Sequence, residues 1–133
     1  ITFKSGSQGT LSNIIIEYGG SSPLHQGVVR SDDSSLSITD SIIRFNQGAG
    51  VFVDSGIVKI SNTRFIDNQY GVFFYNQSSV EISNSDFKKH QTAIHIGDQD
   101  SELDLVNVSF GVGSDANNCN IYQLVCLDPA PED

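Results

Sequence analysis

The sequence predicts an all-β solenoid, a parallel β-helix of about five rungs with three short parallel sheets. Three observations predict it. The first is a repeat: apolar pairs stand at Leu36/Ile38, Val58/Ile60, Val80/Ile82 and Leu103/Leu105, at steps of 22, 22 and 23 residues. The second is the register each pair carries with it. Two positions after the pair come Asp40, Asn62, Asn84 and Asn107, and three further on come Ile43, Phe65, Phe87 and Phe110. The third is the period within a unit. Apolar residues alternate, and no stretch repeats at i, i+3, i+4 and i+7, so the units are strands rather than helices. Strand groups this short cannot form a sheet alone and must stack on their own copies along an axis.

Taken in order, residues 1–7 form an incomplete first rung with Ile1 and Phe3 pointing inward. Leu11 then aligns with Ile38, Asn13 with Asp40 and Ile16 with Ile43, at a step of 27 residues; the excess is a longer loop over 19–26, which holds His25. Gly27-Val28-Val29-Arg30 aligns with Gly50-Val51-Phe52-Val53. Strict alternation would turn Arg30 inward, where a guanidinium is costly unless paired. Either the register slips by one residue here or Arg30 sits near an open end. The next three rungs run over 31–50, 51–71 and 72–93, and a fifth closes near residue 113. The expected organisation is therefore 1–113 for the rungs, 114–127 for a C-terminal cap and 128–133 for a polar tail or linker. Cys119 and Cys126, seven residues apart, suit a disulfide clasping that cap if the protein is exported. Free buried thiols are the alternative.

The aligned Asp40, Asn62, Asn84 and Asn107 mark a corner. A corner needs a side chain that tolerates left-handed backbone and can bond locally. Stacked amides can also bond one another from rung to rung. Asn46 and Asn68 form a second aligned column, with His90 in the third unit, where a structural role is expected.

The best-formed unit runs Val-x-Ile-x-Asn-x-x-Phe-x-x-Asn-x-x-Gly-Val-x-Phe over 58–74. It resembles the right-handed parallel β-helix repeats of the pectin-lyase-like superfamily, as found in bacterial secreted and surface proteins. Gly9-Thr-Leu-Ser-Asn-Ile-Ile-Ile-Glu-Tyr-Gly-Gly20 is similar to a rung of the same kind. The likeness covers roughly 9–112. It implies a right-handed coil, in keeping with the usual hand of parallel crossovers. It says little about activity, because such repeats occur in lyases, hydrolases, epimerases, adhesins and plain stalks.

Bulk properties narrow the function. Formal net charge is −9, from 16 acidic and 7 basic residues, so nucleic acid and anionic membrane surfaces are not expected partners. No stretch approaches the length of apolar chain that spans a bilayer, so no membrane insertion is expected. The expected setting is a segment of a larger extracellular or cell-surface protein, bacterial by its resemblance, with neighbouring domains of the same parent as partners.

Alternation turns Phe52, Phe73 and His95 outward at one rung spacing each, with Asp54 and Tyr75 at the next outward places. Phe52, Phe73, Tyr75 and His95 are thus candidates for an exposed aromatic stripe. Beside Asp54 and Asp98 it could stack on sugar rings while the acids bond hydroxyls; the resembled family binds polysaccharide along such a face. The competing reading is that a loop, a domain or a second copy covers the stripe. Asp98-x-Asp100-x-Glu102 and Asp32-Asp33 place oxygens at spacings calcium could use, although solvated turns carry such acids routinely. No other cofactor is implied. The acid and Lys or Arg groupings expected of pectate-lyase-like chemistry do not match, nor do the Asn-x-Asp, Asp-Asp, Gly-His-Gly and Arg-x-Lys series of polygalacturonase-like enzymes. The expectation is a non-catalytic structural or interaction module. A carbohydrate-binding module is the alternative, and a lyase or hydrolase fragment ranks below both.

Overall fold

The computed structural model describes residues 1–19 and 27–111. The expected cap, its Cys119 and Cys126, the tail and the loop bearing His25 lie outside them. Among the described residues thirteen strands follow one another: β1 (Thr2–Phe3), β2 (Gln8–Ser12), β3 (Ile15–Glu17), β4 (Val29–Asp32), β5 (Ser35–Thr39), β6 (Ile42–Arg44), β7 (Ala49–Asp54), β8 (Ile57–Ser61), β9 (Arg64–Ile66), β10 (Tyr70–Tyr75), β11 (Ser79–Lys88), β12 (Thr92–Ile96) and β13 (Glu102–Phe110). Every pairing is parallel and joins one coil to the next, as in Leu36↔Val58 and Val58↔Val80.

The coil has three faces. The first is the sheet β1-β4-β7-β10-β12. The second contains β2, β5, β8 and the first half of β11; the third contains β3, β6, β9 and its second half. These two faces count as one eight-stranded sheet because β11 runs unbroken through the corner between them, with β13 paired along its length. That corner is the Asn column. Asn13, Asp40, Asn62, Asn84 and Asn107 all have φ between 47° and 57°, the left-handed region that Asn and Asp enter at least cost. Asn62 Nδ2 donates to Asp40 Oδ1, and Asn107 Nδ2 donates to Asn84 Oδ1 at 2.7 Å.

Inward residues stack in columns down the axis. Val29, Val51, Val72 and Ile94 form one and Ile43, Phe65 and Phe87 another, all buried. Each fully buried aliphatic or aromatic side chain contributes roughly 1.5–3 kcal/mol. A second set of columns is polar and buried. Thr63 N–H donates to Ser85 Oγ, and Asn46 N–H and Nδ2 both donate to Asn68 Oδ1. These side chains satisfy backbone groups that the turns would otherwise strand away from water.

Two sequence expectations need correction. Gly27 does not align with Gly50. The pairs are Val29↔Val51, Arg30↔Phe52, Ser31↔Val53 and Asp32↔Asp54, so the register slips by one residue. Val29 and Ser31 therefore face inward, fully buried, and Arg30 faces out. Ile1 is 59% exposed rather than interior, while Phe3 does pack against the core.

Successive coils approach closely at Gly71. A Cβ built there would lie 2.5 Å from the Ala93 carbonyl oxygen and 2.6 Å from Phe87 Cδ2. Because one of those atoms is backbone, relief requires moving a coil. Gly71→Ala is expected to cost roughly 1–3 kcal/mol as overpacking. Urea unfolding checks this, and an unchanged midpoint would show that the coils can part without strain.

Candidate functional site

The outward residues of the first face build a column. Arg30 on β4, Phe52 on β7, Phe73 on β10 and His95 on β12 are register partners from coil to coil. Their flat groups stack. The Arg30 guanidinium lies 4.7 Å from the Phe52 ring centre, Phe52 lies 5.3 Å from Phe73, and Phe73 lies 4.3 Å from the His95 ring. Two tyrosines close the flanks edge-on: Tyr70 meets Phe73 at 5.5 Å and Tyr75 meets Phe52 at 5.6 Å. Offset and edge-to-face contacts are the arrangements ring quadrupoles favour, and a guanidinium over a ring adds a cation–π attraction.

The stripe is not an open platform, which corrects the expectation of exposure. Phe52 is fully buried and Phe73 is 8% exposed. With Ala49 they form a second hydrophobic cluster outside the sheet, against which Tyr70 and Tyr75 pack. Arg30, Tyr70, Tyr75 and His95 keep partial exposure there. Burial raises the Tyr70 hydroxyl's pKa and lowers that of His95. The Tyr75 hydroxyl is raised first by burial and then by the Asp54 carboxylate beside it.

Beside the column the acids are engaged. Arg30 Nε donates to Asp32 Oδ1 at 2.7 Å, and its Nη2 lies 4.0 Å from Asp54 Oδ2. Asp54 also accepts from the Tyr75 hydroxyl at 3.2 Å and from Asn76 Nδ2 at 2.9 Å. Asp32 and Asp54 are register partners, so their carboxylates share one arginine. Asp98 has a different task. Its carboxylate accepts from the backbone N–H of Asn76 and of Ser101, tying two successive turns together. Burial raises its pKa, but hydrogen bonds from Ser101, Asn76 and Gln77 outweigh that and hold it below the ordinary value. Asp33 accepts from the Ser5 hydroxyl at 2.7 Å. Among the described residues no three His, Cys, Asp or Glu side chains converge as a metal ion would require.

Sequence reasoning brought Phe52, Phe73, Tyr75, His95 and Asp54 to one face, and the structure groups them there. It weighed Asp32 only as an acid near the same edge, and it missed Arg30 and Tyr70. The signal was present: Arg30 precedes Phe52, and Asp32 precedes Asp54, by the 22-residue step of the later coils. The second face also carries a shallow concavity of about 580 Å³, lined mainly by Gln8, Thr10, Ser35, Ser37, Ile57 and Lys59.

Parallel coil-to-coil pairing, one continuous interior and left-handed residues repeated at the corners of successive coils narrow the relationship to one architecture. A family model described as the right handed beta helix region matches residues 1–110. The chain belongs to the right-handed β-helix family. No curated protein and no solved structure matches it. As a right-handed β-helix, the chain is consistent with membership of the pectin-lyase-like superfamily, and membership carries fold rather than chemistry.

Proposed function

We propose that this right-handed β-helix is a non-catalytic structural or interaction module of a larger extracellular or cell-surface bacterial protein. One observation supports it above the others: the outward aromatic column is filled and buried, as packing surfaces are. Phe52 is fully buried and Phe73 nearly so, with Tyr70 and Tyr75 packed against them. Asp32, Asp54 and Asp98 hold side chains and turns together. A hydrolase would need two carboxylates flanking a bond, one of them protonated.

A second reading, polysaccharide binding along the first face, draws on the part-exposed Tyr75 and His95 beside Asp54. Affinity electrophoresis against neutral and acidic polysaccharides, with and without calcium, separates the two. The module reading expects no retardation by any glycan. Retardation by one glycan, lost in Tyr75→Ala, would replace it with the binding reading.

A further inference from the structure

Outward polar residues that meet from coil to coil often bond one another in this solenoid. Arg44 Nε lies 2.7 Å from Glu17 Oε1, Gln69 Nε2 donates to Gln91 Oε1 at 3.4 Å, and on the second face Thr39 Oγ1 donates to Ser12 Oγ at 3.0 Å. The concavity of that face differs. Gln8 and Ser35 are register partners there, and so in turn are Thr10, Ser37 and Lys59. Among the described residues, none of these five side chains makes a hydrogen bond or an ion pair. Ser12 and Thr39, two residues further along the same strands, show that short hydroxyls can bridge the gap. Five polar side chains thus converge on one hollow with their bonding capacity unused.

The hollow forms because Ser35 and Ser37 are short, while Gln8 stands on one side of them and Ile57 and Lys59 on the other. A smaller concavity of about 160 Å³ adjoins it. The two share Gln8, Ser35 and Ile57, and the smaller one reaches Asp33 at the corner before β5. Together they make a trough that runs along the strands.

Charge and apolar surface are laid out in order along it. Asp33 comes two residues before Ser35, whose register partner is Ile57, and Lys59 comes two residues after Ile57. An anion, an apolar side chain and a cation therefore succeed one another at two-residue steps, about 6.6 Å each in extended chain. Asp33 accepts from the Ser5 hydroxyl, and Lys59 is the one charged side chain lining the larger hollow. Ile57 is 54% exposed. The side chains that an extended peptide points to one side repeat at the same two-residue step. Opposite charges at the two ends favour a ligand carrying both signs over a polyanion or a neutral chain.

We propose that this trough binds an extended peptide lying along the strands, with alternate side chains basic toward Asp33, apolar over Ile57 and acidic toward Lys59, and with its amides bonded by Gln8, Thr10, Ser35 and Ser37. This rests on the interaction-module reading and names a partner class for it. NMR titration of the chain with the end-blocked peptide Lys-Thr-Val-Thr-Glu tests it. The expected result is saturable binding that weakens as salt is added, with shifts confined to β2, β5 and β8. Ser37→Tyr puts a ring in the hollow at an outward strand position that suits it, so it should fold as the parent does and abolish binding. Lys59→Glu turns an attraction into a repulsion and should weaken binding about fivefold or more. Replacing the peptide's Glu by Lys should restore it to that variant. No binding up to roughly 1 mM, or binding that both variants leave intact, would overturn the proposal. Glycan retention that Ser37→Tyr abolishes would overturn the module reading as well, whereas absence of peptide binding alone leaves that reading standing.

Discussion

Phe87→Ala is expected to lower stability by about 3–5 kcal/mol, a large fraction of what holds a domain of this size. Phe87 is fully buried at the centre of the third face's interior column. Its ring stacks on Phe65 at 4.6 Å on one side and on Phe110 at 5.4 Å on the other. It also meets His90 edge-on at 5.8 Å. Removing it opens a cavity between coils whose separation the parallel ladder sets, so the neighbours cannot close in. Urea unfolding followed by circular dichroism measures the loss. Phe87→Leu should cost markedly less. A shift below about 1 kcal/mol for alanine would mean that the coils collapse around the gap and that the column is not rigid.

His90→Ala should cost a comparable amount, whereas His90→Asn should be close to neutral. In the buried polar column Asn68 accepts the Asn46 N–H with Oδ1 at 3.1 Å and donates from Nδ2 to the Ile43 carbonyl at 3.0 Å. One coil later His90 reproduces both bonds. Its Nδ1 accepts the Asn68 N–H at 3.1 Å, and its Nε2–H donates to the Phe65 carbonyl at 3.0 Å. The imidazole thus acts as a longer asparagine, and the neutral ring with its proton on Nε2 makes both bonds. Alanine strands the Asn68 N–H and the Phe65 carbonyl away from water, at about 1–3 kcal/mol each.

The same geometry gives a pH dependence. Burial holds the His90 pKa below its ordinary value, outweighing hydrogen bonds to Asn68 and Phe65 and the charge of Asp67, which favour the proton. Protonated Nδ1 could turn to the Asn68 carbonyl, 3.0 Å away, but would leave the Asn68 N–H without its acceptor. The folded state therefore binds this proton less readily than the unfolded chain. The contribution is complete above the unfolded value of 6.5, falls as pH drops below it, and levels off below the depressed folded value. The slope approaches at most about 1.4 kcal/mol per pH unit. His90→Asn should remove this share, leaving that of His95, whose pKa burial also lowers. Equal acid sensitivity in the parent and the asparagine variant would rule His90 out as its source.

Much of this was legible in the chain itself. Asn62, Asn84 and Asn107 kept step with the apolar pairs, and that register alone implied corners stacked along an axis. The alignment of His90 with Asn68 announced a structural histidine, though not which nitrogen would replace which amide atom. At the first face the reading stopped at direction. Alternation told that Phe52 and Phe73 point outward, but strand period carries no information about what lies beyond a sheet. Only the assembled coils showed both rings buried, with Tyr70 and Tyr75 packed against them. For Arg30, matching Gly27 to Gly50 left a register slip or an open end as the two readings; the ladder, which scores every residue of a strand, shows the slip.

The sequence by itself determined the architecture: strands, corners and the columns of the interior follow from a periodic pattern, and such a pattern has few ways to bury its apolar side. Tertiary structure alone decided the surface. Whether an outward phenylalanine is a platform or a packed residue depends on neighbours a coil or more away, about 22 residues off along the chain.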